Sequence, residues 1–300
     1  MADLDLRPLS LGEILDRTFS VYRRNFLLFV GIAALPHLLV LVLNLAQTIV
    51  LPGLSGQSPA MKGQMYAGGS LWLVGLAAQF LAYTLSQGGT VFAVSELYLG
   101  RQIGIRQAFA MLRGELANLF GVLLLNGALI FGPTVVCFFA AVIGAAPSLA
   151  LLGFVLLLFP GFYFACRLMA SVPAALLENI GPRTSLERSF SLTKSNVFRA
   201  FVIYVLYLVL IYAASSLLSW PFLFAIANAQ KDPVMLRVWV SLTQVGAFIA
   251  QVLVSPVLTI AAAVYYYDLR VRKEAFDLQF MMNPTGPIAP GTPGVAKTFS

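Results

Sequence analysis

The sequence predicts an all-α protein: a polytopic bundle of six transmembrane helices built from three repeats, each an amphipathic interfacial helix followed by a transmembrane hairpin. Three observations carry this expectation. Of 300 residues, 59% are hydrophobic and only 10% are charged, against roughly 25% charged in an ordinary soluble domain. Apolar runs of the roughly 20 residues that a helix needs to cross a hydrocarbon core recur along most of the chain. Three short segments that precede alternate runs also share one pattern.

The runs fall at residues 26–51, 70–98, 117–145, 149–177, 199–228 and 238–267. Each exceeds the minimum, which implies tilt, kinks or ends that continue past the headgroups. Orientation follows from the basic residues. With the N-terminus in the cytoplasm, 16 of the 19 Lys and Arg lie in cytoplasmic segments, and only Lys62, Lys231 and Arg237 lie opposite. By the positive-inside rule both termini are therefore cytoplasmic. The formal charge of +7 is spread thinly over short loops, so it reads as membrane orientation and not as a nucleic-acid surface. Asp3, Asp5, Glu13 and Asp16 precede the first run, which argues against a cleavable signal.

The division expected is a cytoplasmic N-terminal segment with an interfacial helix at 1–25, a six-helix membrane domain at 26–278 and a tail at 279–300. The Pro- and Gly-rich tail lacks the apolar content to fold. The first outer loop, 52–69, is rich in Gly, Ser and Pro, and little more than Ala146, Pro147 and Ser148 joins the third and fourth spans.

The repeated segments are LDRTFSVYRRNF from Leu15, IRQAFAMLRGEL from Ile105 and LERSFSLTKSNV from Leu186, and they align without a gap. Small Thr18, Ala108 and Ser189 share one position; Phe19, Phe109 and Phe190 the next; and basic Arg23, Arg113 and Lys194 another. In the first copy, positions 11, 14, 15, 18, 19, 22 and 26 form one apolar or small face of a helix, with charges opposite. Ser10 with Glu13 supplies a capping box, and Thr184 with Glu187 offers the same start in the third copy. These helices are expected in the cytoplasmic interface. There Arg17, Arg23, Arg24, Arg106, Arg113, Arg188 and Lys194 would either anchor the bundle or recognise lipid headgroups.

Each repeat ends on an acid: Glu96, Glu178 and Asp268. Ion pairs with nearby Arg101, Arg183 and Arg272 are the simplest account; a carboxylate ring for a cation would need the repeats to share an axis. Inside the spans, His37 sits roughly 16 Å along the first helix, after Pro36. It could satisfy itself on a backbone carbonyl, or it could serve a pore or ligand site with Gln79, Gln87, Asn126, Gln244 and Gln251. Pro133, Pro160, Pro221 and Pro256 could kink or break their helices.

Two cysteines, Cys137 and Cys166, and one histidine supply neither a disulfide framework nor a four-ligand zinc site. No paired carboxylates, nucleophile with its base, Walker motif or dinucleotide glycine motif converges in the sequence, so a non-enzymatic protein without cofactor is expected. The partners expected are membrane lipids, with a membrane protein or a second copy of the chain as a further possibility.

LRPLSLGEILDRTFSVYRRNF from Leu6, LERSFSLTKSNVFRAF from Leu186 and YYYDLRVRKEAFDLQ from Tyr265 resemble the bacterial glycerophosphoryl diester phosphodiesterase membrane-domain family. The resemblance covers roughly residues 5–280. It implies an integral protein of the bacterial plasma membrane. Family members with a phosphodiesterase barrel carry it as a separate soluble region, whose histidines and acids have no counterparts here. The resemblance therefore does not imply that activity.

Overall fold

A computed structural model describes residues 8–50, 61–144, 147–229 and 232–274. The described chain is helical, with no strand among these residues. Helix α1 (Leu11–Arg24) starts on the expected capping box: the Ser10 N–H donates to Glu13 Oε2 at 2.6 Å, and the Glu13 N–H donates to Ser10 Oγ at 3.3 Å. One residue, Asn25, breaks the helix before α2 (Phe26–Val50) continues. The Asn25 backbone N–H and Nδ2 both donate to the Val21 carbonyl, at 3.2 and 3.1 Å, which caps the last turn of α1.

Next come α3 (Met61–Tyr98), α4 (Ile105–Leu112) and α5 (Leu116–Ile143). The predicted span at 149–177 is divided into α6 (Pro147–Leu156), a π-helical turn at Leu157–Gly161, α7 (Phe162–Leu168) and α8 (Ser171–Leu177). Pro160 lies in the π turn, where the missing N–H and the ring are accommodated by one extra residue per turn. Pro133, Pro221 and Pro256, by contrast, lie inside unbroken helices. The chain closes with α9 (Pro182–Thr193), α10 (Val197–Asn228) and α11 (Pro233–Glu274). Helix α9 begins at Pro182 and not at Thr184, because proline's fixed φ suits the first turn. The capping box expected at Thr184 and Glu187 does not form.

Among the described residues five stretches are long and apolar enough to cross a membrane: 26–48, 116–143, 148–177, 197–228 and 234–274. They are compatible with an integral membrane protein. Helix α3, expected as a sixth span, is not among them. It is long, but Gln79, Thr84, Ser86, Gln87, Thr90 and Ser95 with paired glycines dilute its apolar character. It also starts at Met61, so residues 61–69, read from sequence as part of a loop, are helical. The rest of that loop and the 279–300 tail lie outside the described residues.

Helix α11 is the spine. It packs on α10, α2, α1 and α3, and 67% of its most apolar stretch is buried, against 6% for α10. The buried core gathers where α3, α8 and α11 end and α2 and α10 begin, around Ile32, Val94, Ala174, Ile260 and Tyr266. Away from this end, α5, α6 and α10 expose large apolar side chains such as Ile143, Leu217 and Phe224. Bare apolar surface on this scale suits lipid and not water.

Close approach depends on glycine. A Cβ on Gly246 of α11 would lie 2.5 Å from the Leu218 carbonyl oxygen of α10. Gly246→Ala should therefore lower thermal stability in detergent by about 1–3 kcal/mol, because backbone cannot move aside as a side chain can. Gly12→Ala, with nothing within 4 Å, should leave stability equal or raise it slightly. Equal melting temperatures for Gly246→Ala and the parent would refute the close α10–α11 contact.

Candidate functional site

At the charged end of the bundle the acids Glu96, Glu178 and Asp268 are engaged in different ways. The Asp268 side chain is wholly buried on α11. Its Oδ1 accepts from the Leu9 N–H at 2.7 Å, and its Oδ2 accepts from Arg199 Nη1 at 3.1 Å and Arg272 Nε at 2.8 Å. Both arginines also donate to the Leu9 carbonyl. One residue of the N-terminal segment is thus clamped through both its backbone groups to α10 and α11.

Glu178 ends α8, and its side chain is 3% exposed. Arg188 of α9 donates to it through Nε and Nη2 at 3.0–3.1 Å, and the Tyr266 hydroxyl donates at 2.6 Å. Arg188 also pairs with Glu274. Burial alone would lower the pKa of Arg188, but hydrogen bonds and charge from Glu178 and then Glu274 carry it above its ordinary value. Arg270, fully buried, bonds Glu274 at 3.2 Å and lies over the Tyr266 ring. The pairing of Glu178 with Arg183 expected from sequence does not occur. Arg183 points outward to Glu187, one turn on.

Glu96 meets Arg101 at 3.5 Å. Beside it the Tyr98 and Tyr267 rings stack at 5.1 Å, the Arg17 guanidinium sits over Tyr98, and the Tyr267 hydroxyl donates to Ser95 Oγ. Each acid therefore has its own arginine. Among the described residues no group of three or more His, Cys, Asp or Glu could hold a metal ion.

The short helices are stitched to this layer. Ser189 and Thr193 of α9 donate to the Arg167 carbonyl, and the Tyr265 hydroxyl donates to the Asn196 carbonyl. In α1 the Tyr22 phenol, pushed up to about 12 by burial, stays protonated and donates to the Leu253 carbonyl at 2.7 Å. Arg23, Arg24, Arg106, Arg113 and Lys194 are exposed, while Arg17 and Arg188 are half-buried on the partners just named.

The polar residues expected inside the spans divide between two cavities. His37, Gln79, Gln244 and Gln251 line one of about 260 Å³, with Asn44 beside them. Gln87 and Asn126 line another of about 870 Å³, otherwise walled mainly by apolar side chains of α3, α5, α7, α10 and α11. In the larger cavity Thr259 donates to Gln87 Oε1 at 2.9 Å, and Asn126 Nδ2 donates to Ser171 Oγ at 2.8 Å.

Sequence reading missed Arg270, Glu274, Tyr266 and Asn44. The signal was present for three of them. Tyr266, Arg270 and Glu274 recur every four residues, hence on one face of α11, while Asp268 and Arg272 share another.

Asp268→Asn should lower the melting temperature in detergent by the equivalent of about 3–5 kcal/mol, because two arginines lose a buried counter-charge. Arg183→Ala, which removes an ion pair 90% and 67% exposed, should change it immeasurably. Similar shifts for both would show that the buried layer does not hold the fold.

No family model, no curated protein and no solved structure matches the chain.

Proposed function

We propose that this chain is a non-enzymatic integral membrane protein of six transmembrane helices in three repeats, and that it engages anionic phospholipids through its three short helices. The observation that carries this reading is a shared register. The long helices begin at Phe26, Leu116 and Val197, with the same two offsets that separate Phe19, Phe109 and Phe190. Eight residues before each start, Thr18, Ala108 and Ser189 are fully buried. Three residues before each start, Arg23, Arg113 and Lys194 are exposed. One face is sealed against the bundle, and a cation stands free where a long apolar helix begins. That depth is the headgroup layer of a bilayer, where each basic residue contributes about 1 kcal/mol toward an anionic surface.

Helix α3 is the sixth span in this reading, with Thr84, Ser86, Thr90 and Ser95 buried against the core and Leu73, Val74 and Leu76 exposed. The alternation of six helices puts the charged end and both termini in the cytoplasm, as the basic-residue asymmetry requires. A bacterial inner membrane and the phosphodiesterase membrane-domain family belong to the proposal through the resembling segments alone. The larger cavity supports lipid engagement as well, since its size and lining suit an acyl chain. A membrane-protein partner or a second copy of the chain could share the exposed apolar faces.

A second reading, a small-solute permease or channel with a path past His37, is favoured by one observation: four of the six polar candidates meet in one pocket. Gln87 and Asn126 lie in the other cavity, which weighs against one continuous path.

The lipid reading predicts that phosphatidylglycerol raises the melting temperature of the detergent-solubilised protein more than phosphatidylcholine does, and that salt erodes the difference. Replacing Arg23, Arg113 and Lys194 together by Gln should abolish most of it. An undiminished difference in the triple variant would refute headgroup engagement at these positions.

A further inference from the structure

The smaller cavity carries a site of its own. His37 and Asn44 from α2, Gln79 from α3, and Gln244 and Gln251 from α11 converge on it, and the other described residues of its wall are aliphatic apart from Phe248. At about 1.5 Å per residue, His37 stands roughly 16 Å along α2 from Phe26, Asn44 roughly 27 Å, Gln79 roughly 26 Å along α3 from Glu96, and Gln251 and Gln244 roughly 26 and 36 Å along α11 from Asp268. Polar side chains at such depth are costly unless they bond to one another or to something between them.

They do not satisfy one another fully. His37 is 4% exposed, and its Nδ1 lies 2.9 Å from the Ala33 carbonyl oxygen. A carbonyl only accepts, so Nδ1 carries the proton and Nε2 of the neutral ring is a bare acceptor. Gln244 Nε2 donates to Thr48 Oγ1 at 2.9 Å, which leaves Gln244 Oε1 as a second acceptor. Both His37 Nε2 and Gln244 Oε1 are buried without a partner. Among the described residues no charged side chain lines the cavity.

We propose that this pocket is a binding site for a small uncharged solute rich in hydroxyl or amide groups. Such a solute presents donors to His37 Nε2 and Gln244 Oε1 and accepts from the carboxamides of Gln79 and Gln251. Neutrality follows from the lining: a charged ligand at this depth would meet no counter-charge. The volume of about 260 Å³ is that of roughly eight or nine waters at ~30 Å³ each, so several heavy atoms fit, with Phe248 as a wall for carbon. The site involves neither the exposed basic residues nor the larger cavity, so it stands or falls separately from the lipid reading.

The chain has a single histidine, so ¹⁵N-histidine labelling gives one Nε2 resonance. The full-length protein in phospholipid nanodiscs would be titrated with glycerol and with urea. We expect a saturable shift of Nε2 with at least one of them. Gln244→Leu should abolish that shift, and Gln251→Leu should raise its midpoint roughly three- to tenfold, the worth of one hydrogen bond. A resonance moved by neither probe in the parent protein would mean a pocket filled by water only and would overturn the proposal, whatever the variants do. A saturable shift that both leucine variants retain would overturn it equally, because binding would then lie elsewhere.

Discussion

A carboxylate taken out of water loses several kcal/mol of hydration, and a bundle of apolar helices can hold one only where cations and hydrogen-bond donors meet every lone pair. Asp268 is held in this way, by two arginines and the Leu9 N–H, and Glu178 by Arg188 and Tyr266. Most of the architecture follows from these two anions. Between apolar helices in lipid the hydrophobic effect contributes little, so packing, hydrogen bonds and ion pairs must hold one helix to the next. Asp268 joins α11 to α10 and to the segment before α1, and Glu178 joins α8 to α9 and α11. Leu9 with Asp268 and Glu178 with Tyr266 are distant in sequence, so the layer clasps the start of the chain and α8 to α11.

The burial pattern matches such a clasp at one end. Side chains close to the ionic layer, such as Ala174, Ala263 and Leu269, are sealed, whereas the opposite half of α5, α6 and α10 stays bare. Both cavities lie between the helices: α2, α3 and α11 line the smaller, and the larger reaches Val172 and Ala262, roughly 9 Å along their helices from Glu178 and Asp268. The three short helices cover the held end and leave their last cations outside. The same layer that fixes the fold thus presents the basic surface on which the lipid reading rests.

Periodicity in the sequence marked one face of α1, and the structure buries that face in part. Ile14 and Thr18 are sealed as the pattern of α1 requires, although Phe19 on that face is 40% exposed. Pairing was less legible. Arg183 is nearer to Glu178 in sequence than Arg188 is, but Pro182 starts α9 so that Arg183 faces outward and Arg188 comes round to the carboxylate. The last apolar run of the sequence ends at residue 267, ahead of the charges of the last segment. In the structure they bond at four-residue spacing, Asp268 to Arg272 and Arg270 to Glu274, and the helix continues to Glu274. The meeting of His37 with the glutamines of α3 and α11 depends on which helices are neighbours, and one sequence does not encode that locally.

The central claim is that all three short helices lie on one side of the membrane, each ahead of a transmembrane hairpin. Site-directed labelling with a membrane-impermeant maleimide tests it most directly. In a background with Cys137 and Cys166 replaced by Ala, single Asp16→Cys, Gln107→Cys and Ser195→Cys variants should react in inverted membrane vesicles and stay silent in intact cells. Ser58→Cys, in the first predicted outer loop, should do the reverse. Labelling of any of the first three from outside, or of Ser58→Cys from the same side as they are, would contradict the threefold arrangement and the six-helix topology together.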